Sequence, residues 1–163
     1  MRAPDNADLY RRLNRFTWLM DLYTDNFLRL QAMAEFDALS AGVYLSEGRD
    51  GLRLRLEVLE RHAYTIECKL SYTLRDSRTG ALDPSAMIRV YLDSRQCEVS
   101  HCYVGRRWQD VLGVHPSTER MVSHRLRMNG FLNKWLQYLK QQGHGRGGWR
   151  REEGVPEPAA DVM

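Results

Sequence analysis

Between residues 52 and 74 the apolar side chains of this sequence fall at every second position, and no other feature constrains the fold so tightly. Leu52, Leu54, Leu56 and Val58 alternate with Arg53, Arg55 and Glu57. Tyr64, Ile66, Cys68, Leu70, Tyr72 and Leu74 alternate with Thr65, Glu67, Lys69, Ser71 and Thr73. Successive side chains of a strand point to opposite faces, so the pattern predicts two half-buried strands with one charged face. The three-residue connection Arg61-His62-Ala63 predicts the pairs Val58–Ile66 and Leu54–Leu70, a register that holds every apolar side chain on one side. A short strand around Val43–Leu45 precedes them, joined through Gly48-Arg49-Asp50-Gly51. Met87–Leu92 and Cys97–Tyr103 form a further hairpin across Asp93–Gln96, where Asp starts a type I turn. That loop pairs Leu92 with Cys97, Val90 with Val99 and Ile88 with His101, and sets Arg89, Tyr91, Glu98 and Ser100 on the other face.

On both sides of these strands the apolar period changes to three or four. Leu9, Leu13, Phe16, Met20, Tyr23, Phe27 and Leu30 predict a helix from Asp8 to Met33, capped by Asp5 or Asn6. Trp18 and Leu22 form an apolar pair on the opposite, charged face, either covered by a packed loop or a homodimer partner or standing as an innocuous exposed pair. Ser117 or Thr118 caps a second helix reaching about Gln142, with a stripe of Met121, Met128, Leu132, Trp135, Leu136 and Leu139. Asn129 lies on the flank of that stripe, and Gly143 ends the helix. Residues 143–163 are rich in Gly, Pro and charge without periodicity, which predicts a disordered tail. The expected architecture is one α+β domain over residues 1–142. An N-terminal helix leads into a five-stranded antiparallel meander sheet, and a long C-terminal helix packs on the same sheet face.

Composition excludes some classes. No apolar run approaches the ~20 residues of a membrane span, and Met1-Arg2-Ala3-Pro4-Asp5-Asn6 lacks the apolar stretch of a secretory signal. Three cysteines without framework spacing suit a reducing compartment, so a cytoplasmic location is expected. Only three of the 24 basic residues are lysine (Lys69, Lys134, Lys140). Arginine forks suit phosphate and carboxylate, although codon usage in a GC-rich genome explains the bias more simply.

Three stretches carry a resemblance: Leu19-Met20-Asp21-Leu22-Tyr23-Thr24-Asp25-Asn26-Phe27-Leu28-Arg29-Leu30, then Met87-Ile88-Arg89-Val90-Tyr91-Leu92-Asp93 with Cys97-Glu98-Val99, and Asn129-Gly130-Phe131-Leu132-Asn133-Lys134-Trp135-Leu136. In this order and spacing the chain resembles the YqiB-like family of uncharacterised proteobacterial proteins, from about Phe16 to Gly143. The resemblance implies a small cytosolic bacterial protein and supplies no catalytic residues. The sequence departs from that family at Ser123-His124-Arg125, where members often carry an acidic, Lys-containing segment.

No motif reads as catalytic. Cys97, His101 and Cys102 are close in sequence, but strict alternation turns Cys102 away from the other two and no fourth ligand suggests itself, so neither a metal nor a cofactor is expected. Gly143-His144-Gly145-Arg146-Gly147-Gly148 follows a helix, the wrong context for a phosphate-cradling loop. Arg53, Arg55 and Lys69 on the open sheet face, with Arg146, Trp149, Arg150 and Arg151, suggest RNA. Glu57, Glu67 and Glu98 interleave on the same face, where such neighbours more often pair, and Glu152 and Glu153 neutralise the tail in part. The favoured reading is a non-catalytic binding or adaptor protein that meets a protein partner or small anionic ligand through Arg89, Tyr91, Glu98 and Asn129. The alternatives are an RNA-binding regulator and, third, an enzyme acting on a phosphorylated small molecule.

Overall fold

The computed structural model describes residues 5–105, 107, 110, 113 and 116–152. Helix α1 (Asn6–Met33) is followed by strands β1 (Gly42–Glu47), β2 (Arg53–Arg61), β3 (Thr65–Tyr72), β4 (Ser85–Tyr91) and β5 (Gln96–Tyr103). Helix α2 (Thr118–Gln141), a 3-10 turn (Arg146–Gly148) and a short strand β6 (Arg150–Arg151) complete the described chain. The sheet order is β5-β4-β3-β2-β1-β6, and every pairing is antiparallel. The alternating residues form the floor of the core. Leu54, Leu56, Val58, Ile66, Cys68, Leu70, Ile88, Val90, Cys97 and Val99 pack with Phe27, Leu30 and Met33 of α1 and with Leu132, Trp135, Leu136 and Leu139 of α2. Both helices therefore bury one face of the sheet. They run parallel to each other, because Arg12 meets Glu119 near their starts and Asn26 meets Asn129 further along. No described helix is long and apolar enough to cross a membrane.

Local signals set the helix ends. Asp5 accepts from the Ala7 N–H at 3.4 Å, and Ser117 accepts from the Arg120 N–H at 3.3 Å. Gly143 adopts φ +89°, a conformation that only glycine enters readily, and the chain turns off α2 there.

Four expectations need correction. The sheet has six strands, not five, because residues 143–152, expected to be a disordered tail, pack on the domain. Arg150 and Arg151 pair with Leu45 and Tyr44 of β1, the Trp149 indole donates to the Met33 carbonyl at 2.9 Å, and His144 is buried against Ser46 at 2.7 Å. A short polar segment cannot bury a large apolar face, but it can satisfy a strand edge with its backbone, and periodicity does not register that. Residues 153–163 of the expected tail lie outside the described residues. Second, both hairpin registers differ from expectation by two. Leu54 pairs with Tyr72 and Leu56 with Leu70; Val90 pairs with Cys97 and Ile88 with Val99. A two-residue shift preserves the faces, so alternation alone cannot select between the registers. In the second hairpin Arg95 takes φ 56°, closing the loop Leu92–Arg95 one residue earlier than expected.

Third, β5 carries an irregularity at Ser100, where Met87 pairs with His101 although Ile88 pairs with Val99. One extra residue reverses the faces beyond it. Cys102 therefore enters the core with Cys97, and His101, expected beside Cys97, emerges on the open face. Fourth, the stripe of α1 is not buried along its length. Leu9, Leu13 and Phe16 are 48, 53 and 54 % exposed, because the roughly 42 Å helix outruns the sheet. The buried face of its second half is Leu19, Tyr23, Asn26, Phe27, Leu30 and Met33. Leu22 packs beside Leu19, Tyr23 and Leu126, whereas Trp18 is 60 % exposed.

Candidate anion site on the open sheet face

The sheet face turned away from the helices is organised as cross-strand rows. One row runs Val43, Glu57, Lys69, Met87, His101 across β1 to β5. A second runs Leu45, Arg55, Ser71, Ser85, Tyr103. On the other side of the first lie Glu67, Arg89 and Glu98, with Tyr91 and Gln96 beyond.

The Ser71–Ser85 end of this face is roofed. The connection between β3 and β4 folds back as a small hairpin, with Asp76 N–H donating to Ala81 O at 2.8 Å and Arg75 bridging to Leu82. It is pinned to β5, since the Tyr103 hydroxyl donates to Asp76 Oδ2 at 2.8 Å and lies 2.7 Å from Thr79 Oγ1. The Arg78 N–H and the Tyr103 hydroxyl together hold the Asp76 carboxyl below the usual carboxylate range. Roof and sheet enclose a cavity of about 720 Å³ lined by Arg55, Glu57, Lys69, Arg75, Met87 and His101, among others. Arg107 and Asp110 add one charge of each sign to its wall.

The charges in this cavity are unevenly matched. Glu57 stands opposite Lys69, but its carboxylate is taken by Arg55 at 2.9 Å. Arg75 uses one Nη1 hydrogen bond of 2.9 Å on the Gly80 carbonyl, which leaves its charge uncompensated. Among the described residues neither Lys69 nor Arg75 has an ion-pair partner within 4.0 Å. Three cations outside the cavity do have such partners: Arg53 meets Glu47 at 2.6 Å, Arg29 meets Asp25 at 2.7 Å and Arg146 meets Glu35 at 3.1 Å.

The four residues singled out from the sequence fall in two places. Arg89, Tyr91 and Glu98 share the open face, next to the cavity row. Arg89 lies opposite Glu98 yet bonds Glu67 on the other neighbouring strand, through Nε at 2.9 Å and Nη2 at 2.5 Å. The Tyr91 hydroxyl donates to Glu98 Oε1 at 2.7 Å. Burial and that carboxylate raise the Tyr91 phenol above its ordinary range. This row is internally satisfied. Asn129 lies on the far side of the sheet and is wholly buried. Its Oδ1 accepts from the Val99 N–H at 2.9 Å and its Nδ2 donates to Arg125 O at 2.9 Å. Its carbonyl accepts from Asn26 Nδ2 at 3.0 Å. The sequence motif around Asn129 thus describes a helix-to-sheet tie in the interior.

Arg75 is not among the residues singled out from the sequence, and His101 is weighed there only as a metal ligand. Arg75 lies in a polar loop whose folding-back has no local signature. His101 was legible in principle, because apolar residues at 97, 99 and then 102 break the alternation and mark the extra residue.

Cysteine and metal chemistry receive no support from the geometry. Burial pushes the Cys68 and Cys102 thiols up to about 12 and raises Cys97 as well, so all three are poor nucleophiles. Among the described residues no three His, Cys, Asp or Glu side chains converge as metal ligands.

Neither the curated proteins nor the solved structures provide a match to this chain. A family model described as "Protein of unknown function (DUF1249)" matches residues 28–145, a span from the second half of α1 through the sheet to the turn after α2. The chain belongs to the DUF1249 family.

Proposed function

We propose that this protein is a non-catalytic binding protein of the bacterial cytoplasm, within the YqiB-like part of its family, and that it takes a small anionic ligand on the open sheet face. The observation that carries this reading is the pair of uncompensated cations, Lys69 and Arg75, in a roofed cavity. Unpaired charge held in a partly enclosed space attracts counter-charge more strongly than charge on a convex surface. The cavity volume lies within the roughly 300–1,000 Å³ usual for small-molecule sites. Arg89, Tyr91 and Glu98 form the adjoining wall in this reading, with Arg89 fixed by Glu67.

The RNA alternative draws less support. Arg53 is held by Glu47 and Arg55 by Glu57. Arg146 and Arg151 spend their forks on Gln31 O, Glu35, Ser40 and Ala41 O. Calorimetric titration of the full chain with citrate, phosphate and a short single-stranded RNA tests the reading. Binding of a small anion that is lost on adding salt supports it, since exposed charge pairs are screened over a Debye length of about 8–10 Å. RNA binding without small-anion binding would replace it with the regulator.

A further inference from the structure

We infer that the ligand of this cavity is a phosphate monoester of a small polar molecule, its phosphate seated over Met87 between Lys69, His101 and Arg75. The inference rests on the anion-binding reading above and adds the chemical class. Lys69 and His101 flank Met87 in one cross-strand row. Neighbouring strands lie about 4.8 Å apart, so the two backbones are about 10 Å from each other, and both side chains can reach a group centred on the row. Arg75 enters from the roof, on a different element.

The kind of donor matters as much as the charge. A carboxylate is planar and is best held by a free guanidinium fork that offers two parallel N–H bonds. The forks of this cavity are partly spent: Arg55 gives Nη1 to Glu57 and Arg75 gives Nη1 to Gly80 O, which leaves Arg75 its Nε–Nη2 edge, with Arg107 in the wall. Beside these forks stand an ammonium on β3 and an imidazole on β5, with the unused N–H groups of Arg75 facing them from the roof. Single donors arriving from three separate elements match a tetrahedral group, whose three terminal oxygens point in three directions. The excess positive charge suits a dianion. The cavity also exceeds what a phosphate ion fills, and its apolar lining of Ala81, Leu82 and Met87 leaves room for an organic portion.

Isothermal titration of the full chain with glucose 6-phosphate, inorganic phosphate and succinate at low salt tests this, on wild type and on Lys69→Ala and His101→Ala, with melts confirming that each variant is folded. The expected result is that glucose 6-phosphate binds more tightly than inorganic phosphate, and both bind more tightly than succinate. Each variant should weaken phosphate-ester binding about tenfold, equivalent to ~1.4 kcal/mol. Succinate binding as tightly as the ester would overturn the ligand class while leaving anion binding intact. Ester binding unchanged in both folded variants would place the phosphate elsewhere and overturn the assignment. Absence of binding by all three would overturn this inference together with the reading beneath it.

Discussion

Replacing Asn129 by leucine separates an architectural role from a binding role for the most distinctive residue of α2. The Asn129 amide ties the helix to β5, an outer strand of the sheet, by accepting the Val99 N–H at 2.9 Å. Leucine removes that acceptor in a site closed to water. Arg125 O, the other partner of the side chain, sits one helical turn back and is served by the helix ladder, so only the Val99 donor is orphaned. A buried donor left without a partner costs about 1–3 kcal/mol. For a chain of this size each kcal/mol lowers the midpoint by about 2–4 °C, so Asn129→Leu should melt about 2–12 °C below wild type. Urea unfolding followed by far-UV circular dichroism should give the same loss with an unchanged slope. Anion affinity should not change, because the sheet separates Asn129 from the cavity. An unchanged or raised midpoint would refute the tie, and a folded variant that loses anion binding would refute the separation.

Three further outcomes follow from the same geometry. A chain ending at Gln142 loses the contacts of His144, Trp149 and Arg150–Arg151 with Ser46, Met33 and β1, and its midpoint should fall by several degrees; a melt within one degree of full length would mean these contacts contribute nothing. Burial lowers the proton affinity of His144, outweighing the opposite pull of Asp50 and Glu47. The unfolded imidazole, near the ordinary ~6.5, then takes up the proton first, so stability is full above about pH 6.5 and declines as pH falls below it. His144→Gln should lessen the fall of the urea midpoint between pH 7.5 and 5.5, leaving the share of His124, whose imidazole burial also depresses, and an equally steep decline in the variant would contradict this. Arg89→Ala removes an exposed cross-strand pair with Glu67 worth about 0.2–1 kcal/mol. It should lower the midpoint by no more than about 4 °C and weaken anion binding less than Lys69→Ala does; unfolding would show that Arg89 is architectural.

The sequence made the element order and the buried sheet face legible because period-two alternation over β2 and β3 admits one face only. It left register open, since Leu54 opposite Leu70 or Tyr72 buries the same side chains. It also overextended the stripe of α1: Leu9, Leu13 and Phe16 have helical spacing, but spacing cannot say where the sheet beneath the helix ends. The residues of the proposed site were legible only in part. Arg89, Tyr91 and Glu98 were correctly placed on the open face, and so was Lys69, weighed there only for RNA. That Arg89 is neutralised by Glu67 while Lys69 is not depends on which carboxylate each cation reaches. Those distances follow from register and from the roof over Ser71 and Ser85, neither of which has a local signal. Asn129 was expected at the flank of a helix stripe and lies wholly inside, where its amide serves a strand edge.

In the proposed reading the open sheet face, and not the helical face or the C-terminal segment, receives an anion. Backbone amide shifts of isotopically labelled full-length protein, followed during titration with citrate and then with glucose 6-phosphate, test it most directly. Saturable shifts concentrated at Lys69, Arg75, Met87 and His101 are expected, abolished by moderate salt and requiring about tenfold more glucose 6-phosphate in Lys69→Ala. Shifts confined to α1, α2 or residues 143–152, or none at all with either anion, would contradict it.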